Sequence, residues 1–262
     1  MTVSANGIHP TAVIDPGAQL ADDVSVGAYS VIGADVEIGA GTRIGPHAVI
    51  HGPTRIGRDN QIYQFTSIGE APQHMAYKEE PTRVEIGDRN IFREFCTVHR
   101  GTVIDQSLTA IGNDNLLMAY VHVAHDCVLG NHIIMANGAS LAGHVRIADR
   151  CLFGGFAMVH QNARVGRLAF LGYSTGLVLD LPPYTRCADH VAKPHGINSV
   201  GMRRAGYTNE EIAQAKQCYK IIYRSSLLLN EAQKELESMA ADSAIAGDFV
   251  EFIKLSKRGL IR

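Results

Sequence analysis

Aliphatic residues recur every six positions along the first two thirds of the chain. The series starts Ile8, Ile14, Leu20 and reaches Ile68 without a miss. A small or short side chain often stands two positions earlier, and glycine often follows directly. A period of six fits neither an amphipathic helix nor a simple alternating strand. It predicts a solenoid in which each hexapeptide forms one short strand and one turn, with its aliphatic residue pointing inward.

Two interruptions break this series. Residues 70–83 carry prolines and charges without an aliphatic period, and a second break covers about 100–109. After the second break the series returns shifted by one position, from Ile111 to Leu177. We expect three hexapeptides to close a triangular coil of eighteen residues, with coils stacked by parallel strand pairing about 4.8 Å apart. The breaks predict two long loops on this regular coil.

Helical signals replace the repeat towards the carboxyl end. Pro182-Pro183 ends the coil pattern, and Thr208-Asn-Glu-Glu211 is a capping box, which predicts a helix through Tyr223. Two further helices are predicted at about 230–239 and 247–257. The predicted fold is mainly β: a parallel β-helix domain over 1–190, with loops near 70–83 and 100–109, and an α-helical domain over 191–262. Such helices can simply cover the open end of a solenoid.

Composition and charge narrow the function classes. The net charge of −2 gives no electrostatic case for nucleic acid or an anionic membrane as the main partner. No apolar stretch approaches the roughly 20 residues that a membrane span needs, so we expect no stable membrane insertion. The five cysteines form no CxxC pair, and no signal-peptide pattern follows Met1. We therefore expect a reduced, cytoplasmic setting.

Histidines on neighbouring coils are the candidate chemistry. His125 is followed by Asp126, and His144 comes one coil later. Because eighteen residues carry the chain once around, Gly143 should lie over His125, and the His125 and His144 rings should approach each other. A histidine followed by an aspartate can act as an oriented general base, since the carboxylate fixes the tautomer and stabilises the imidazolium. The simpler interpretation of any single histidine is that it is one of the polar side chains that a solenoid surface carries, without a catalytic role.

Several sequence runs resemble the UDP-N-acetylglucosamine 3-O-acyltransferases, a hexapeptide-repeat family. The resemblance spans essentially the whole chain, including loop positions and the helical end, through the runs Ile62–Glu70, Glu80–Asn90, Thr97–Thr102, Asp114–Met118, Val121–Cys127, Leu141–His144, Val159–Gln161, Lys193–Asn198 and Arg258–Arg262. It implies a left-handed β-helix, against the usual right-handed crossover preference. It also implies a homotrimer with active sites in clefts between subunits.

The resemblance implies a reaction as well. Its substrates would be UDP-N-acetylglucosamine and a 3-hydroxyacyl thioester on acyl carrier protein, in the first step of lipid A biosynthesis. His125 would take the proton from the sugar 3-hydroxyl, Asp126 would support the charge on His125, and the Gly143 amide would stabilise the oxyanion. No cofactor and no metal ion are implied.

Further residues would bind the substrates by the same resemblance. They are His99, His122, His144 and His160 along the sugar and acyl clefts, Gln73 and Gln161 as polar contacts, and Asn198 and Arg204 at the nucleotide end. Arg186, Lys193, Arg203 and Arg204 form a candidate docking patch for the acidic carrier protein, with a solvated surface as the alternative.

Some positions depart from the family pattern. His74 and Ala76 stand where the first loop usually has an aspartate and a lysine, and Val200 and Ala205 replace a usual glutamate and arginine. These departures keep a 3-amino-sugar acceptor open. Tyr173 occupies a position that is often glycine and that bounds the far end of the acyl groove. We therefore expect a preference for a shorter acyl chain than in relatives with glycine.

Three alternative functions remain at this point. A related N-acyltransferase of the next lipid A step normally carries an extra amino-terminal domain, whereas the coils here begin by Ile8. A γ-type carbonic anhydrase would use a histidine cluster to bind zinc, but Asp126 directly after His125 and two long loops weigh against it. A purely structural solenoid would not explain the run from His122 to Asp126.

Overall fold

Short strands, parallel except for the antiparallel last strand Lys193–Ile197, form the three faces of a triangular prism in this computed structural model, which describes residues 7–262. The sheets wind as a left-handed parallel β-helix, which confirms the expected fold class. The Met1 start, and with it the first six residues of the predicted 1–190 domain, lies outside the described residues.

Each face is one sheet. Face 1 contains Val13–Ile14, Val31–Ile32, Val49–Ile50, Ser67–Glu70, Thr97–His99, His122–Val123, Ser140–Leu141, Met158–Val159 and Gly176–Leu177. Face 2 contains Gln19–Leu20, Val36–Ile38, Thr54–Ile56, Arg83–Ile86, Leu108–Ile111, Val128–Leu129, Arg146–Ile147 and Arg164–Val165. Face 3 contains Ser25–Val26, Arg43–Ile44, Gln61–Ile62, Ile91–Phe92, Leu116–Leu117, Ile134–Met135, Leu152–Phe153, Phe170–Leu171, Thr185–Ala188 and Lys193–Ile197.

Strand register explains both interruptions of the repeat. Regular coils pair residues eighteen apart, as in Val13 with Val31. Across the first loop the pairing joins Ser67 to Thr97, and across the second it joins Thr97 to His122. The first spacing is a multiple of six and keeps the phase of the repeat, whereas the second is one residue more than a multiple of six. The second loop therefore causes the one-residue shift seen in the sequence.

The hexapeptide aliphatics form the core of the prism. Ile32, Ile50 and Ile68 stack on successive coils of face 1, and each is at most 1% exposed. Burying such a side chain contributes about 1.5–3 kcal/mol, so the repeated position dominates the stability of the coil. The repeat prediction is confirmed.

Four helices follow the coil: α1 (Ser199–Arg204), α2 (Asn209–Tyr223), α3 (Leu229–Ala240) and α4 (Ala244–Leu255). The predicted capping box of α2 is confirmed, with Thr208 and Glu211 bonded reciprocally. The prediction for the last helix was wrong by one turn at its start, because the Ser243 side chain accepts a bond from the Ala246 amide and caps α4 there.

The short α1 was not predicted. Asn198 begins it, with its side chain accepting a hydrogen bond from the Gly201 amide. The helices share a hydrophobic cluster with Leu168 and Tyr184 that is separate from the core of the prism. β structure continues to Ile197, beyond the predicted domain division at 190, and that division stays a prediction. In residues 7–262 no helix is both long and apolar enough to cross a bilayer.

Candidate active site

Both long loops leave the prism at the edge between face 1 and face 2. The first connects Ser67–Glu70 to Arg83–Ile86, and the second connects Thr97–His99 to Leu108–Ile111. His125 lies at the same edge, because it follows a face 1 strand and precedes Val128–Leu129 on face 2. The order of the strands therefore places both long loops at the edge of the prism that carries the candidate general base.

His125 and Asp126 form a buried pair at this edge. The His125 Nδ1 atom lies 2.8 Å from Asp126 Oδ2, and the two residues are 7% and 0% exposed. Thr102 donates two further hydrogen bonds to the carboxylate, from its amide at 2.8 Å and from its hydroxyl at 2.6 Å, and His144 Nδ1 lies 3.7 Å from Asp126 Oδ2. Burial alone would raise the pKa of Asp126, but the bonds from His125 and Thr102 outweigh it and lower that pKa. An ionised carboxylate can only accept, so the neutral His125 ring carries its proton on Nδ1 and its lone pair on Nε2.

Gly143 lies directly over the His125 ring, as the repeat predicted. A Cβ atom added to Gly143 would stand 2.5 Å from Cε1 and 2.7 Å from Nε2 of that ring. The next amide, that of His144, donates to the His125 carbonyl at 3.0 Å and fixes the two coils in register. Within residues 7–262 the Gly143 amide has no acceptor. An unpaired N–H on the residue that covers the His125 ring is a candidate oxyanion donor.

Two more side chains lie against the His125–Asp126 pair. The His144 ring meets the His125 ring edge-on, with centroids 5.0 Å apart, and its Nδ1 lies 3.2 Å from Asp105 Oδ2. The His74 ring, from the first loop, packs edge-on against His125 at 5.5 Å. Asp126 and His144 occupy left-handed turn positions on successive coils, with φ of 62° and 63°.

His99 and His122 form a second pair of histidines, close to His125. Their rings meet edge-on at 5.1 Å, and His122 Nδ1 bonds the Thr97 hydroxyl at 2.8 Å. The Nδ1 atom of His99 is buried and has no hydrogen-bond partner in the described part of the chain. Burial lowers the pKa of His99, and burial followed by the charges of His99 and His125 lowers the pKa of His122 to about 4. Both rings are therefore neutral at pH 7.

The His122 pKa predicts acid sensitivity of the fold. A histidine in the unfolded chain titrates near pH 6.5. Between about pH 6.5 and 4 the unfolded chain therefore binds more protons than the native one, and the free energy of unfolding decreases as the pH is lowered. After discounting for partial exposure, we expect His122 to account for a loss on the order of 1 kcal/mol between pH 7 and 5. Chemical unfolding at both pH values should show a smaller loss in His122→Gln. Equal losses in both proteins would contradict this expectation.

The other predicted substrate residues lie in three places. His160 follows a face 1 strand at the same edge as His125 but on a later coil, and it is exposed together with Gln161. Gln73 is exposed beside His74 on the first loop. Asn198 and Arg204 lie on the face 3 side, where they line a cavity of about 490 Å³ with Arg150, Arg186 and Phe170. Within one chain, the nucleotide-end residues are therefore on a different side of the prism from His125.

Asn198 uses its amide within the fold. Its Nδ2 donates to the Leu168 carbonyl at 2.9 Å, and its Oδ1 accepts from the Gly201 amide at 3.0 Å. Asn198 thus holds α1 against the coil, in addition to any contact with a ligand. The Arg204 side chain has no hydrogen bond or ion pair with any residue in 7–262, so its guanidinium is available.

Tyr173 lies at the edge between face 3 and face 1, and its side chain is 74% exposed. Its ring meets Phe156 edge-on at 6.4 Å. Such a ring occupies the surface beside Gly155, whose added Cβ would come within 3.9 Å of it. An acyl chain that ran along this edge would meet the Tyr173 ring.

The geometry supports a metal site or a reactive thiol less well than it supports proton transfer by the His125–Asp126 pair. His125, Asp126 and His144 each offer one ligand atom, and these three atoms lie within 4.8 Å of one another, a spacing that could hold a cation. The Nδ1 atoms of both histidines and the Asp126 oxygens are already engaged in hydrogen bonds or ion pairs, so the donor set fits a proton-transfer pair better than a metal. Burial raises the pKa of Cys127 to about 12, which keeps that thiol protonated.

Comparison with known proteins decides the family. Residues 180–261 match the family described as Udp N-acetylglucosamine O-acyltransferase, Domain 2. A protein of Thiobacillus denitrificans named acyl-[acyl-carrier-protein]–UDP-N-acetylglucosamine O-acyltransferase is 52% identical over 255 residues, with 97% of this chain and 99% of that protein covered. This chain belongs to that family. A member from Halorhodospira halophila is 54% identical with the same coverage.

Solved structures agree with this assignment. LpxA from Acinetobacter baumannii matches with a TM-score of 0.96 at 42% identity, covering 98% of this chain and 100% of that one. The UDP-N-acetylglucosamine acyltransferase of Francisella novicida matches with a TM-score of 0.95 at 39% identity, over 97% of this chain and 94% of that chain. The resemblance found in the sequence is confirmed at the level of family and fold.

Three contacts at or beside the His125–Asp126 pair were missed in the sequence. Thr102 bonds Asp126, Asp105 contacts His144, and His74 packs on His125. Asp105 was not singled out in the sequence, and His74 was noted only as a departure from the family pattern. All three come from the interruptions of the repeat, and an interruption directly before a histidine-rich coil was the one available signal.

Proposed function

We propose that the chain transfers a 3-hydroxyacyl group from acyl carrier protein to the 3-hydroxyl of UDP-N-acetylglucosamine, the first step of lipid A biosynthesis. The observation that carries the proposal is the buried His125–Asp126 pair beneath the free amide of Gly143. Family membership supports the choice of donor and acceptor, because the relatives are named for these substrates.

In the proposed mechanism, His125 acts as general base through Nε2. It takes the proton of the sugar hydroxyl as the oxygen attacks the thioester carbonyl carbon, and Asp126 stabilises the resulting imidazolium through Nδ1. The carbonyl oxygen becomes an oxyanion that the Gly143 amide stabilises. The carbon–sulfur bond then breaks, and the leaving thiolate takes the proton back from His125. No step requires a cofactor or a metal.

The proposal includes a homotrimer. Asn198 and Arg204 lie on the face 3 side of the prism, whereas His125 lies at the edge between faces 1 and 2. A single UDP-sugar could use both sets only if the face 3 side of one subunit lay beside the His125 edge of another. His99, His122, His144, His160, Gln73 and Gln161 would complete such a shared cleft. The proposal also includes a cytoplasmic setting, supported by five free, buried cysteines in the described residues.

The experiment that tests this function is acyl transfer from 3-hydroxyacyl carrier protein to UDP-N-acetylglucosamine by the purified protein. Product formation, detected by mass spectrometry, would support the proposal. Transfer to the corresponding 3-amino sugar alone would support the alternative acceptor, which the loop residues His74 and Ala76 keep open. Metal content proportional to activity would favour the metalloenzyme alternative.

Tyr173 predicts the acyl-chain preference. Because its ring occupies the surface by Gly155, we expect the wild type to prefer a 10-carbon over a 14-carbon 3-hydroxyacyl donor. In Tyr173→Gly the space opens, and each additional buried methylene is worth about 0.8 kcal/mol. The ratio of kcat/KM for the 14-carbon to the 10-carbon donor should therefore rise by roughly tenfold or more. Tyr29→Gly, which removes a similarly exposed tyrosine near the start of the coil, should leave the ratio unchanged. A wild type that prefers the longer donor would refute the expectation.

A further inference from the structure

The second loop is fastened across two coils by carboxylates. At its start, the amide and hydroxyl of Thr102 donate to Asp126 on one coil. At its middle, Asp105 Oδ2 lies 3.2 Å from Nδ1 of His144 and 2.8 Å from an Arg146 guanidinium nitrogen, both on the next coil. The side chains of Asp105, His144 and Arg146 are 26%, 11% and 24% exposed. These contacts are only partly shielded from water, because Asp105 stands on an exposed part of the loop while the His144 side chain is largely covered.

From this geometry we infer that Asp105 is a positioning residue that orients His144 as Asp126 orients His125. The inference rests on the proposed function for the role of the site, but the orientation can be tested without it. The site then contains two histidine–carboxylate pairs on successive coils, with the two rings edge-on at 5.0 Å.

The proton position of His144 follows from the two carboxylates that face its Nδ1, of which only that of Asp105 is within hydrogen-bond distance. Asp105 Oδ2 is 3.2 Å and Asp126 Oδ2 is 3.7 Å from Nδ1, and ionised carboxylates cannot donate. Nδ1 therefore keeps a proton in both ionisation states of the ring. Only Nε2 can change its proton, so His144 meets a ligand through Nε2. That atom accepts from a substrate hydroxyl when the ring is neutral and donates when it is charged.

This arrangement distinguishes orientation from simple anchoring of the loop. Asp105 binds both His144 and Arg146, so the loop loses one contact when Arg146 is removed, whereas His144 loses its hydrogen-bonded carboxylate only when Asp105 is changed and keeps Asp126 at 3.7 Å. Asn in place of Asp105 keeps the size of the side chain but can donate through its amide. A donor facing Nδ1 would favour the Nε2-protonated tautomer, the wrong one for a ligand contact through an Nε2 lone pair.

The test compares wild type, Asp105→Asn and Arg146→Ala in the full-length protein. Nitrogen-15 NMR of histidine-labelled protein reports the tautomer, and His144→Gln assigns the His144 signals by their loss. We expect Nδ1-protonated His144 in wild type and Arg146→Ala, and loss of that tautomer in Asp105→Asn. In the transfer assay, kcat/KM should fall by about tenfold or more in Asp105→Asn and by less than about threefold in Arg146→Ala.

Two results would overturn the inference. One is an unchanged His144 tautomer in Asp105→Asn, whatever the activity, since Asp105 would then act only as a loop anchor. The other is an equal loss of activity in Asp105→Asn and Arg146→Ala. If wild type transferred no acyl group to UDP-N-acetylglucosamine, the proposed function would fail, while the NMR comparison would still decide the role of Asp105.

Discussion

His125→Ala should lower kcat for acyl transfer by about 10³-fold or more. The variant loses the proposed proton acceptor for the attacking hydroxyl, while the Asp126 carboxylate stays fully buried and bonded to Thr102. KM for the sugar nucleotide should change far less, because the proposed contacts to the nucleotide come from Asn198 and Arg204. Steady-state kinetics with saturating donor measure both constants.

A matched histidine variant controls for effects on folding. His47→Ala removes an exposed ring that stacks between Tyr29 and Phe65 at another edge of the prism, and activity should stay within about twofold of wild type. Light scattering after gel filtration should give the same oligomeric mass for all three proteins. Activity of His125→Ala within tenfold of wild type would reject His125 as the general base.

The repeating part of this fold could be predicted from the sequence, because the aliphatic residue of each hexapeptide marks one inward-pointing strand position. Ile32 and Ile50 are buried for the same local reason, an inward-pointing strand residue, and parallel pairing then fixes their neighbours eighteen residues away. The same rule correctly put Gly143 over His125. Where the chain follows the coil, a contact between distant residues can be predicted from their separation in the sequence, because neighbouring coils pair residues eighteen apart.

The loops do not obey that rule. The contact of Asp105 with His144 spans 39 residues, and no period links the two positions. Its existence depends on where Thr102 fastens the start of the loop to Asp126, which in turn depends on the coil below. His74 on His125 is a similar case. A loop that leaves a regular solenoid is positioned by side chains on the coil, so its contacts become predictable only after the coil is built.

Helix ends show a related limit. The capping box at Thr208 was visible because both partners lie within four residues. The start of α1 was not visible. The Asn198 side chain accepts from the Gly201 amide through Oδ1, but it is held in place by a second bond from Nδ2 to the Leu168 carbonyl, thirty residues away in the sequence. A cap that is completed by tertiary contact gives no local signature.

Gly143→Ala should reduce kcat by at least about 10²-fold with little loss of stability. Gly143 has no left-handed φ, so alanine can adopt its backbone conformation without strain. The added methyl carbon would instead stand 2.5–2.7 Å from Cε1 and Nε2 of His125, closer than real contacts allow. The ring must move, and movement breaks its 2.8 Å bond to Asp126 and shifts Nε2 from the proton that it has to take. A transfer assay and thermal unfolding of the same preparation measure the two effects.

A double variant identifies the cause of this loss. In a His125→Ala background there is no ring to displace, so adding Gly143→Ala should lower the residual rate by less than about threefold, far from additive. Gly33→Ala is the matched control, since its new methyl group would meet its nearest neighbours at 3.4 Å or more. That variant should retain nearly full activity. If Gly143→Ala cost the same factor with and without His125, ring displacement would be excluded, and the loss would lie in the amide itself. The amide and the ring would then contribute independently, one to the oxyanion and the other to the proton.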